Sequence, residues 1–475
     1  MHSPPAGDDS EALSRHAAWV LALQEVEHER RRLADDIDRM HRSLSWRLTA
    51  PLRRLRQWLQ PASAAPAPLA GAQPGDASAF ADASDLLRRC AGHPPVPAPR
   101  RPERLYVDVT ELAREDAFGG IPRVSGRILV EWLLQPPSGW RVEPVRLTDQ
   151  GHYVHARAYL GRLLGLPSAE AGADVAVAPA PGDVFIGLDL VREHAGQART
   201  AVAALRARQV RIGFVLYDLL PLQHPDWFPP GTQAAFERWW RMVAEHADRV
   251  LCISEQVAGD ARGALAVLAR PGMPRVSAFP LGDDLHSLVP AGRRLAPRTP
   301  GRTRWLMVGT LEPRKAHAQA LAAFEVLWAR GVPVELVIAG RPGWCGAELL
   351  ARLHGHRERG RRLHWLDGAN DAELLAAYED CDALLAASFG EGYGLPVVEA
   401  ARMGLPILAR DLPVFREIAG EGADYFRADD ADLLAEAILA WIERRARGSH
   451  ADPSRVPLHR WRDSAAALAR ELLAD

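Results

Sequence analysis

The feature that most constrains the fold is an alternation of short apolar runs with amphipathic helical segments, repeated in two arrays. The first array predicts strands at Leu105–Val109, Asp183–Leu188, Val210–Leu216, Arg249–Ile253 and Val276–Phe279, and helices near 122–134, 192–207, 231–247 and 255–268. The second predicts strands at Arg304–Val308, Val334–Ala339, Leu363–Leu366, Ala383–Ala386 and Pro406–Leu408, and helices near 316–330, 346–359, 371–379, 394–403 and 430–446. This order predicts an α/β protein with two doubly wound domains of parallel strands. Because such sheets bind ligands beyond the carboxyl ends of their strands, we expect a binding cleft between the domains.

Composition divides the 475-residue chain further. The expected order is a helical and basic amphipathic segment at 1–60, a linker rich in Pro and Ala at 61–103, the two domains at 104–290 and 302–455, and a C-terminal helix at 456–475. Pro-rich linkers of this kind separate modules without packing a core of their own.

The segment before the linker has two parts. Residues 11–40 follow a heptad-like spacing over about three heptads, which favours a coiled coil that forms a homo-oligomer; the alternative is a helix packed on its own globular body. Residues 41–60 contain five arginines, no acid, and two tryptophans, Trp46 and Trp58. This pattern favours peripheral association with an anionic membrane. The alternative is that the segment packs against the globular body and exposes its basic face to solvent.

Charge and cysteine content exclude several classes of protein. The chain has 58 basic and 60 acidic residues, a formal net charge of −2, so we expect no nucleic-acid partner. The four cysteines are far apart, which predicts neither a metal site nor a disulfide framework and fits a reducing cytoplasm. Neither a signal peptide nor a long apolar run is recognisable, so a cytoplasmic location is expected.

The segment 388–400 carries the strongest chemical signal. It reads Ser-Phe-Gly-Glu-Gly-Tyr-Gly-Leu-Pro-Val-Val-Glu-Ala, follows an apolar strand and opens a helix. Its glycines allow close approach of the backbone to a ligand, and the free amides of the helix start attract anions or hydroxyl oxygens. Glu391 and Glu399 place two carboxylates near the same helix start and its expected ligand.

This string, Glu391-Gly-x-Gly-Leu-Pro-x-x-Glu399-Ala, resembles the signature of the family 4 retaining glycosyltransferases, which have the GT-B fold of two Rossmann-like domains. The resemblance extends from about 105 to 475. The segment Val308–Lys315 is similar to the phosphate-binding segment of that family, and Lys315 is the single lysine among the 58 basic residues. A genome that prefers arginine explains the scarcity, yet a lysine that persists can mark a site needing a compact ammonium.

The resemblance implies roles for individual residues. Arg314, Lys315 and Glu391 would be catalytic, because a departing nucleoside diphosphate gains charge that fixed cations can stabilise. Donor-binding residues would be Gly119, Gly120, Gly309, Gly392, Tyr393, Gly394, Leu395 and Glu399, the last holding the ribose. Acceptor or sugar contacts would come from Arg123, Tyr217 and Asp218. Many family members have histidine where Tyr217 stands, and Asp218 either binds a sugar hydroxyl or caps its loop.

The implied activity is transfer from a nucleotide diphosphate sugar to a hydroxyl of a growing surface polysaccharide or lipid-linked oligosaccharide. No metal and no cofactor are expected. The strings Gly-Gly-Ile-Pro-Arg and Tyr-Asp-Leu-Leu-Pro resemble those of O-antigen mannosyltransferases, which favours GDP-mannose. The segment Ser43–Arg53 resembles sequences beside polysaccharide glycosyltransferase domains, which favours the inner face of the cytoplasmic membrane. The alternatives are other GT-B chemistry, such as epimerisation or phosphorolysis, and an inactive scaffold of an assembly complex.

Overall fold

The computed structural model describes residues 103–114, 119–164, 173–268, 272–283 and 299–474. The predicted coiled coil at 11–40, the basic segment at 41–60 and the linker up to residue 102 lie outside these ranges. Within the described ranges, every helix is too short or too polar to serve as a membrane span.

The first half of the described chain forms a seven-stranded sheet with the order β3-β2-β1-β4-β5-β6-β7. Its strands are β1 (Glu103–Asp108), β2 (Trp140–Leu147), β3 (Tyr153–His155), β4 (Val184–Gly187), β5 (Arg211–Leu216), β6 (Arg249–Cys252) and β7 (Arg275–Ala278). All pairings are parallel except that of β2 with the edge strand β3, which is antiparallel. The strands predicted from the first array therefore all pair in parallel, and the antiparallel pair adds an edge strand, β3, that the sequence pattern does not predict.

The second half forms a six-stranded, fully parallel sheet with the order β10-β9-β8-β11-β12-β13 in the described residues. Its strands are β8 (Thr303–Val308), β9 (Val334–Ala339), β10 (Leu363–Leu366), β11 (Ala383–Ala386), β12 (Ile407–Arg410) and β13 (Asp424–Phe426). Strand β9 is buried at every position, as a parallel strand covered by helices on both faces must be. Its one acid, Glu335, is paired with buried Arg304 at 2.8 Å.

Helices connect the strands and cover both sheets. The described residues form α1 (Gly120–Leu134), α2 (Arg157–Leu164), α3 (Ala195–Ala207), α4 (Leu220–Gln223), α5 (Thr232–His246), α6 (Glu255–Leu268), α7 (His317–Ala329), α8 (Ala347–Gly355), α9 (Asp371–Asp380), α10 (Leu395–Arg402), α11 (Pro413–Ala419), α12 (Ala431–Ala446) and α13 (Trp461–Leu473). Helix α9 begins with a capping box, in which Asn370 accepts from two helix amides and Glu373 accepts from the amide of Asn370.

Every strand predicted from the two arrays is present, with ends that differ by up to two residues. The strands β2, β3 and β13 were not predicted. Strand β2 contains Pro144, which argues against a strand in a sequence pattern. Strands β3 and β13 have three residues each, too few for a clear apolar pattern. Helix α8 ends at Gly355 rather than near 359, since glycine disfavours continued helix.

The final helix returns to the first half of the molecule. The indole Nε1 of Trp132 on α1 donates to the carbonyl oxygen of Ala465 on α13 at 3.0 Å. Leu472 packs so closely on β5 that a Cβ at Gly213 would lie 2.5 Å from its Cδ1. The two halves are thus joined by the C-terminal helix as well as by the chain between them.

The carboxyl ends of both sheets point at each other. The loop after β5 begins at Tyr217, and the loop after β11 contains Gly392, where an added Cβ would lie 1.9 Å from the carbonyl oxygen of Tyr217. The hydroxyl of Ser254, after β6, donates to the carbonyl oxygen of Gly392 at 2.8 Å. These contacts bring the strand-end loops of the two sheets together, at the position where a doubly wound fold binds its ligands.

Candidate active site

Arg314 and Lys315 lie on a short 3-10 turn, Pro313–Lys315, that follows β8. The turn ends at Ala316, which has a positive φ of 58° and so adopts a left-handed conformation that costs a non-glycine residue about 1 kcal/mol. The Lys315 side chain lies against Gly309, whose added Cβ would be 3.3 Å from the lysine Cε. This backbone holds both cations at the carboxyl edge of the second sheet.

Both cations contact Glu391, which comes from the loop after β11. The Nη1 of Arg314 lies 2.8 Å from Oε2 of Glu391, and Nζ of Lys315 lies 2.5 Å from Oε1. The hydroxyl of Ser388 also donates to Oε1, at 2.7 Å. Burial by itself would raise the pKa of Glu391, but Lys315 and Arg314 outweigh it and lower the pKa to about 2. The side chain of Glu391 is therefore ionised at neutral pH.

Glu312 completes this cluster, although no motif or spacing in the sequence marks it for this role. The Nε of Arg314 donates to Oε2 of Glu312 at 2.8 Å, so the guanidinium joins two carboxylates. Burial raises the pKa of Glu312, and Arg314 opposes this shift. The charges of the two cations and the two carboxylates balance each other. The cavity beside Lys315 and Glu391 has a volume of about 20 Å³, roughly enough for one water molecule.

The other carboxylate of the motif, Glu399, is on α10 and is buried. It accepts hydrogen bonds from Arg123 on α1 and, at 2.5 Å, from the hydroxyl of Tyr378 on α9. Burial raises the pKa of Tyr378 well above its usual value, and the Glu399 carboxylate raises it further, so Tyr378 remains a donor. The structure thus brings Arg123 and Glu399 together; Tyr378 was missed because nothing in the sequence pattern marks it.

Tyr217 and Asp218 follow β5 and point in different directions. The hydroxyl of Tyr217 donates to the carbonyl oxygen of Leu188 at 2.8 Å. It also lies 3.0 Å from the hydroxyl of Ser125, so the side chain points into the first domain. Only its main chain faces the glycine loop. Asp218 accepts from the amide of Leu220 at 3.1 Å, and burial raises its pKa while the nearby Arg314 lowers it. Asp218 therefore both caps its loop and faces the cationic cluster.

The glycine-containing segments occupy distinct places. Gly394 has a φ of 114° at the start of α10, and Leu395 is the first residue of that helix. The hydroxyl of Tyr393 contacts the backbone of Leu281 at 3.1 and 3.2 Å, so this side chain ties the second domain to the first. Gly119 precedes α1 and Gly120 is its first residue, and neither has anything within 4 Å of an added Cβ, which leaves their backbone accessible.

Two buried carboxylates hold the turn that follows β1. Asp108 accepts from the amide of Thr110 and from the hydroxyl of Tyr153, both at 2.9 Å. Asp189 accepts from the amide of Leu112, also at 2.9 Å. Burial raises the pKa of Asp108 to about 6, and burial together with the charge of Asp108 raises that of Asp189 to about 7. Both groups hold protons at higher pH than an exposed aspartate does.

Part of the chain matches the model of a known protein family. Residues 296–454 match the model described as glycosyl transferases group 1. The chain is 37% identical over 384 residues to the serotype-specific mannosyltransferase WbdA of Escherichia coli, covering 78% of this chain and 47% of that protein. It is 31% identical over 147 residues to the O-antigen chain mannosyltransferase B of Escherichia coli, covering 29% of this chain and 36% of that protein. The chain therefore spans about half the length of the WbdA proteins.

The fold has a solved counterpart. The crystal structure of the α,α-trehalose 6-phosphate synthase from Burkholderia multivorans superposes with a TM-score of 0.50 at 15% identity, covering 79% of this chain and 99% of that one. At this identity the likeness concerns the fold alone, which is GT-B. Arg314, Lys315, Glu391 and Glu399 all lie inside the family match, and the chain thus contains a group 1 glycosyltransferase domain at residues 296–454, within a GT-B fold.

Proposed function

We propose that this protein is a retaining mannosyltransferase, which moves mannose from GDP-mannose to a hydroxyl of a growing surface polysaccharide or a lipid-linked oligosaccharide. The observation that carries the proposal is the pairing of Arg314 and Lys315 with Glu391 at the carboxyl edge of the second sheet, which faces the first. Relatives over most of the described chain are mannosyltransferases by name, which supports the choice of sugar.

Arg314 and Lys315 bind the diphosphate of the donor in this proposal. The guanidinium offers two parallel donors to phosphate oxygens, and the ammonium of Lys315 acts as a compact charge. As the bond between sugar and phosphate breaks, charge develops on the leaving oxygen, and cations fixed nearby stabilise that transition state more than the ground state. No metal ion is needed for this role. To reach the cations, the diphosphate replaces part of their contact with Glu391 or enters as the cleft widens.

Glu391 holds hydroxyls of the donor sugar and offsets the positive charge of the reacting sugar ring. Its pKa of about 2 keeps it ionised, so it accepts hydrogen bonds and cannot donate a proton. The acceptor hydroxyl attacks on the same face that the phosphate leaves, and the departing phosphate oxygen takes the proton. Retention of configuration follows without a covalent intermediate on the enzyme.

Glu399 holds the ribose, and the backbone at Gly119, Gly120, Gly309, Gly392 and Gly394 lies along the diphosphate and sugar. Of these five positions, Gly119 and Gly120 have open space beside them. Arg123 and Tyr378 hold the buried carboxylate in one orientation, so it loses little side-chain entropy when the cleft opens around it and a ribose hydroxyl binds. Arg123 then links donor binding to closure of the two domains. Asp218 completes the sugar side of the site, where it faces Arg314.

In this proposal, the N-terminal segment holds the enzyme at the inner face of the cytoplasmic membrane, where a lipid-linked acceptor is exposed. Residues 11–40 mediate association of the enzyme into a homo-oligomer. The five arginines and two tryptophans of 41–60 support this placement. In the full chain, replacing Arg47, Arg53 and Arg54 by glutamine should reduce co-sedimentation with vesicles containing phosphatidylglycerol. Unchanged co-sedimentation would contradict the membrane placement.

The experiment that tests the function has two steps. A thermal-shift panel of nucleotide sugars identifies the donor, since a ligand that binds the folded protein raises its melting temperature. Incubation of the stabilising nucleotide sugar with mannose oligosaccharides should then release GDP and extend the oligosaccharide through an α-linkage, as seen by mass spectrometry and by the anomeric proton signal. A β-linkage would contradict retention, and an altered donor without glycan extension would favour epimerase chemistry instead.

A further inference from the structure

An exposed set of aromatic side chains lies at the mouth of the cleft. We define the aromatic platform as His224, Trp227, Phe228, Trp344 and Phe389. The first three follow α4 in the first domain, whereas Trp344 follows β9 and Phe389 follows β11 in the second. Two separate domains therefore contribute rings to one surface.

The rings contact one another across the domain boundary. His224 stacks on Trp227 with a centroid distance of 4.0 Å and an interplanar angle of 10°. The Trp227 centroid is 6.3 Å from that of Phe389, and Phe228 is 6.1 Å from Trp344. The indole Nε1 of Trp344 donates to the carbonyl oxygen of Trp227 at 2.7 Å, which fixes the orientation of the exposed ring.

The platform is both accessible and next to the candidate active site. Trp344 and Phe389 are 38% and 36% exposed, unusual values for such large apolar side chains. A Cβ at Gly390 would lie 2.7 Å from the ring of Trp227, and Gly390 directly precedes Glu391. The amide of Phe389 donates to the carbonyl oxygen of Arg314 at 2.7 Å. A glycan bound on these rings would therefore end close to the cationic cluster of Arg314 and Lys315.

Aromatic rings of this kind suit the apolar faces of sugar rings. The face of an aromatic ring is electron-rich, and the axial C–H bonds of a pyranose present weakly positive hydrogens on one face. Rigid tryptophan rings lose little conformational entropy when they bind. The segment 222–230 contains one acid, Asp226, and neither lysine nor arginine. The guanidinium of Arg410 lies 4.5 Å from the centroid of the Phe389 ring, and it is already paired with that ring.

We propose that the aromatic platform is a binding subsite for pyranose rings of the acceptor glycan, on the side of the cleft from which the acceptor hydroxyl approaches Glu391. The proposal rests on the glycosyltransferase function proposed above, and it adds a specific place for the sugars behind the reacting one. Because both domains contribute rings, bound glycan would also favour the closed arrangement of the cleft.

The test is direct binding of two defined probes, an α-linked mannotetraose and maltotetraose, to the full-length protein by titration calorimetry without any donor. We expect Trp344→Ala to weaken binding of at least one tetrasaccharide about tenfold, the size of a lost ring contact. Trp344→Phe keeps an aromatic face but cannot donate to the Trp227 carbonyl, and it should bind within about twofold of wild type. Leu433→Ala, at another exposed apolar side chain on the surface of α12, is the control and should bind as wild type does.

Four results would overturn the subsite. The first is unchanged binding by Trp344→Ala, and the second is no binding of either probe by wild type. The third is equal weakening by Trp344→Phe and Trp344→Ala, which would mean that the Trp227 contact, and not the ring face, matters. The fourth is a Trp344-dependent affinity for phosphatidylglycerol vesicles without any for the tetrasaccharides, which would identify a membrane contact.

The outcome is separable from that of the proposed function. If the protein binds tetrasaccharide through Trp344 but no nucleotide sugar raises its melting temperature, the transferase proposal fails and the glycan subsite stands. If GDP-mannose binds and transfer occurs with the same acceptor KM in wild type and Trp344→Ala, the subsite fails and the transferase proposal stands.

Discussion

Arg123 on α1 and Glu399 on α10 form an ion pair that joins the two sheet domains, although 276 residues separate them in the chain. The Glu399 side chain is almost fully buried and that of Arg123 is one-fifth exposed. A carboxylate in such surroundings needs its partner, because removing one member leaves an uncompensated charge. The pair therefore couples the proposed ribose contact to the docking of the domains.

We expect Arg123→Met to be strongly destabilising, by about 2–4 kcal/mol, since Glu399 then keeps Tyr378 as its donor but loses its counter-charge. Glu399→Gln should cost less, because the amide oxygen still accepts from Arg123. The double variant should be more stable than the sum of the single effects predicts, as measured by urea unfolding in a double-mutant cycle. Strict additivity would show that the pair contributes nothing to domain docking.

The raised pKa values of the buried aspartates make stability depend on pH. The folded protein keeps the Asp189 proton up to about pH 7, whereas the unfolded chain loses it near 4. Folding therefore binds protons between these values, and this contribution to stability falls as the pH rises from about 4 to 7. Asp189→Asn, which imitates the protonated form, should be more stable than wild type at pH 8 by on the order of 3 kcal/mol.

Thermal unfolding at pH 5 and pH 8 checks this sign. The difference between Asp189→Asn and wild type should be small at pH 5 and large at pH 8. If the variant is equally destabilised at both values, the carboxylate of Asp189 is ionised in the folded protein.

Gly392 lies where the two domains touch, and its substitution tests how closely they pack. An added Cβ would be 1.9 Å from the carbonyl oxygen of Tyr217, which is backbone and cannot rotate away. Gly392→Ala should therefore hold the cleft open and lower the transfer rate at least about a hundredfold, a loss typical of misplaced reacting groups. Gly263→Ala, on α6 with nothing within 4 Å of the new methyl group, is the matched control and should leave the rate unchanged.

Small-angle X-ray scattering provides a second measurement, the radius of gyration, for the variants Gly392→Ala and Gly263→Ala. A larger radius of gyration for Gly392→Ala, with no change for Gly263→Ala, would agree with an opened cleft. Full transfer activity in Gly392→Ala would refute the close approach of the two loops.

The sequence predicted the strands that position the site because their apolar runs are short, continuous and separated by amphipathic helices. Through its family resemblance, the sequence also assigned Lys315 and Glu391 to one catalytic group, but it did not predict that their side chains are in contact. It could not predict the partners Glu312 and Tyr378, because no spacing rule marks them. The pair of Arg123 with Glu399 and the aromatic platform result from docking of two domains, which a linear pattern does not encode.

Lys315 offers the most direct test of the account, because the single lysine of the chain contacts Glu391 at 2.5 Å and packs on Gly309. Lys315→Ala should lower kcat about 10²–10³-fold, the usual effect of removing one fixed donor from a developing negative charge. Lys315→Arg should restore little, since a planar guanidinium does not replace a compact ammonium. Arg330→Ala, an exposed residue paired with Glu436, is the control that should keep the wild-type rate.

The measurement is the rate at which the enzyme releases GDP from GDP-mannose while extending a mannose oligosaccharide. A large fall in kcat for Lys315→Ala, with Arg330→Ala unaffected, is the result that we predict. An unchanged kcat in Lys315→Ala would contradict the central claim that this ammonium stabilises the departing diphosphate.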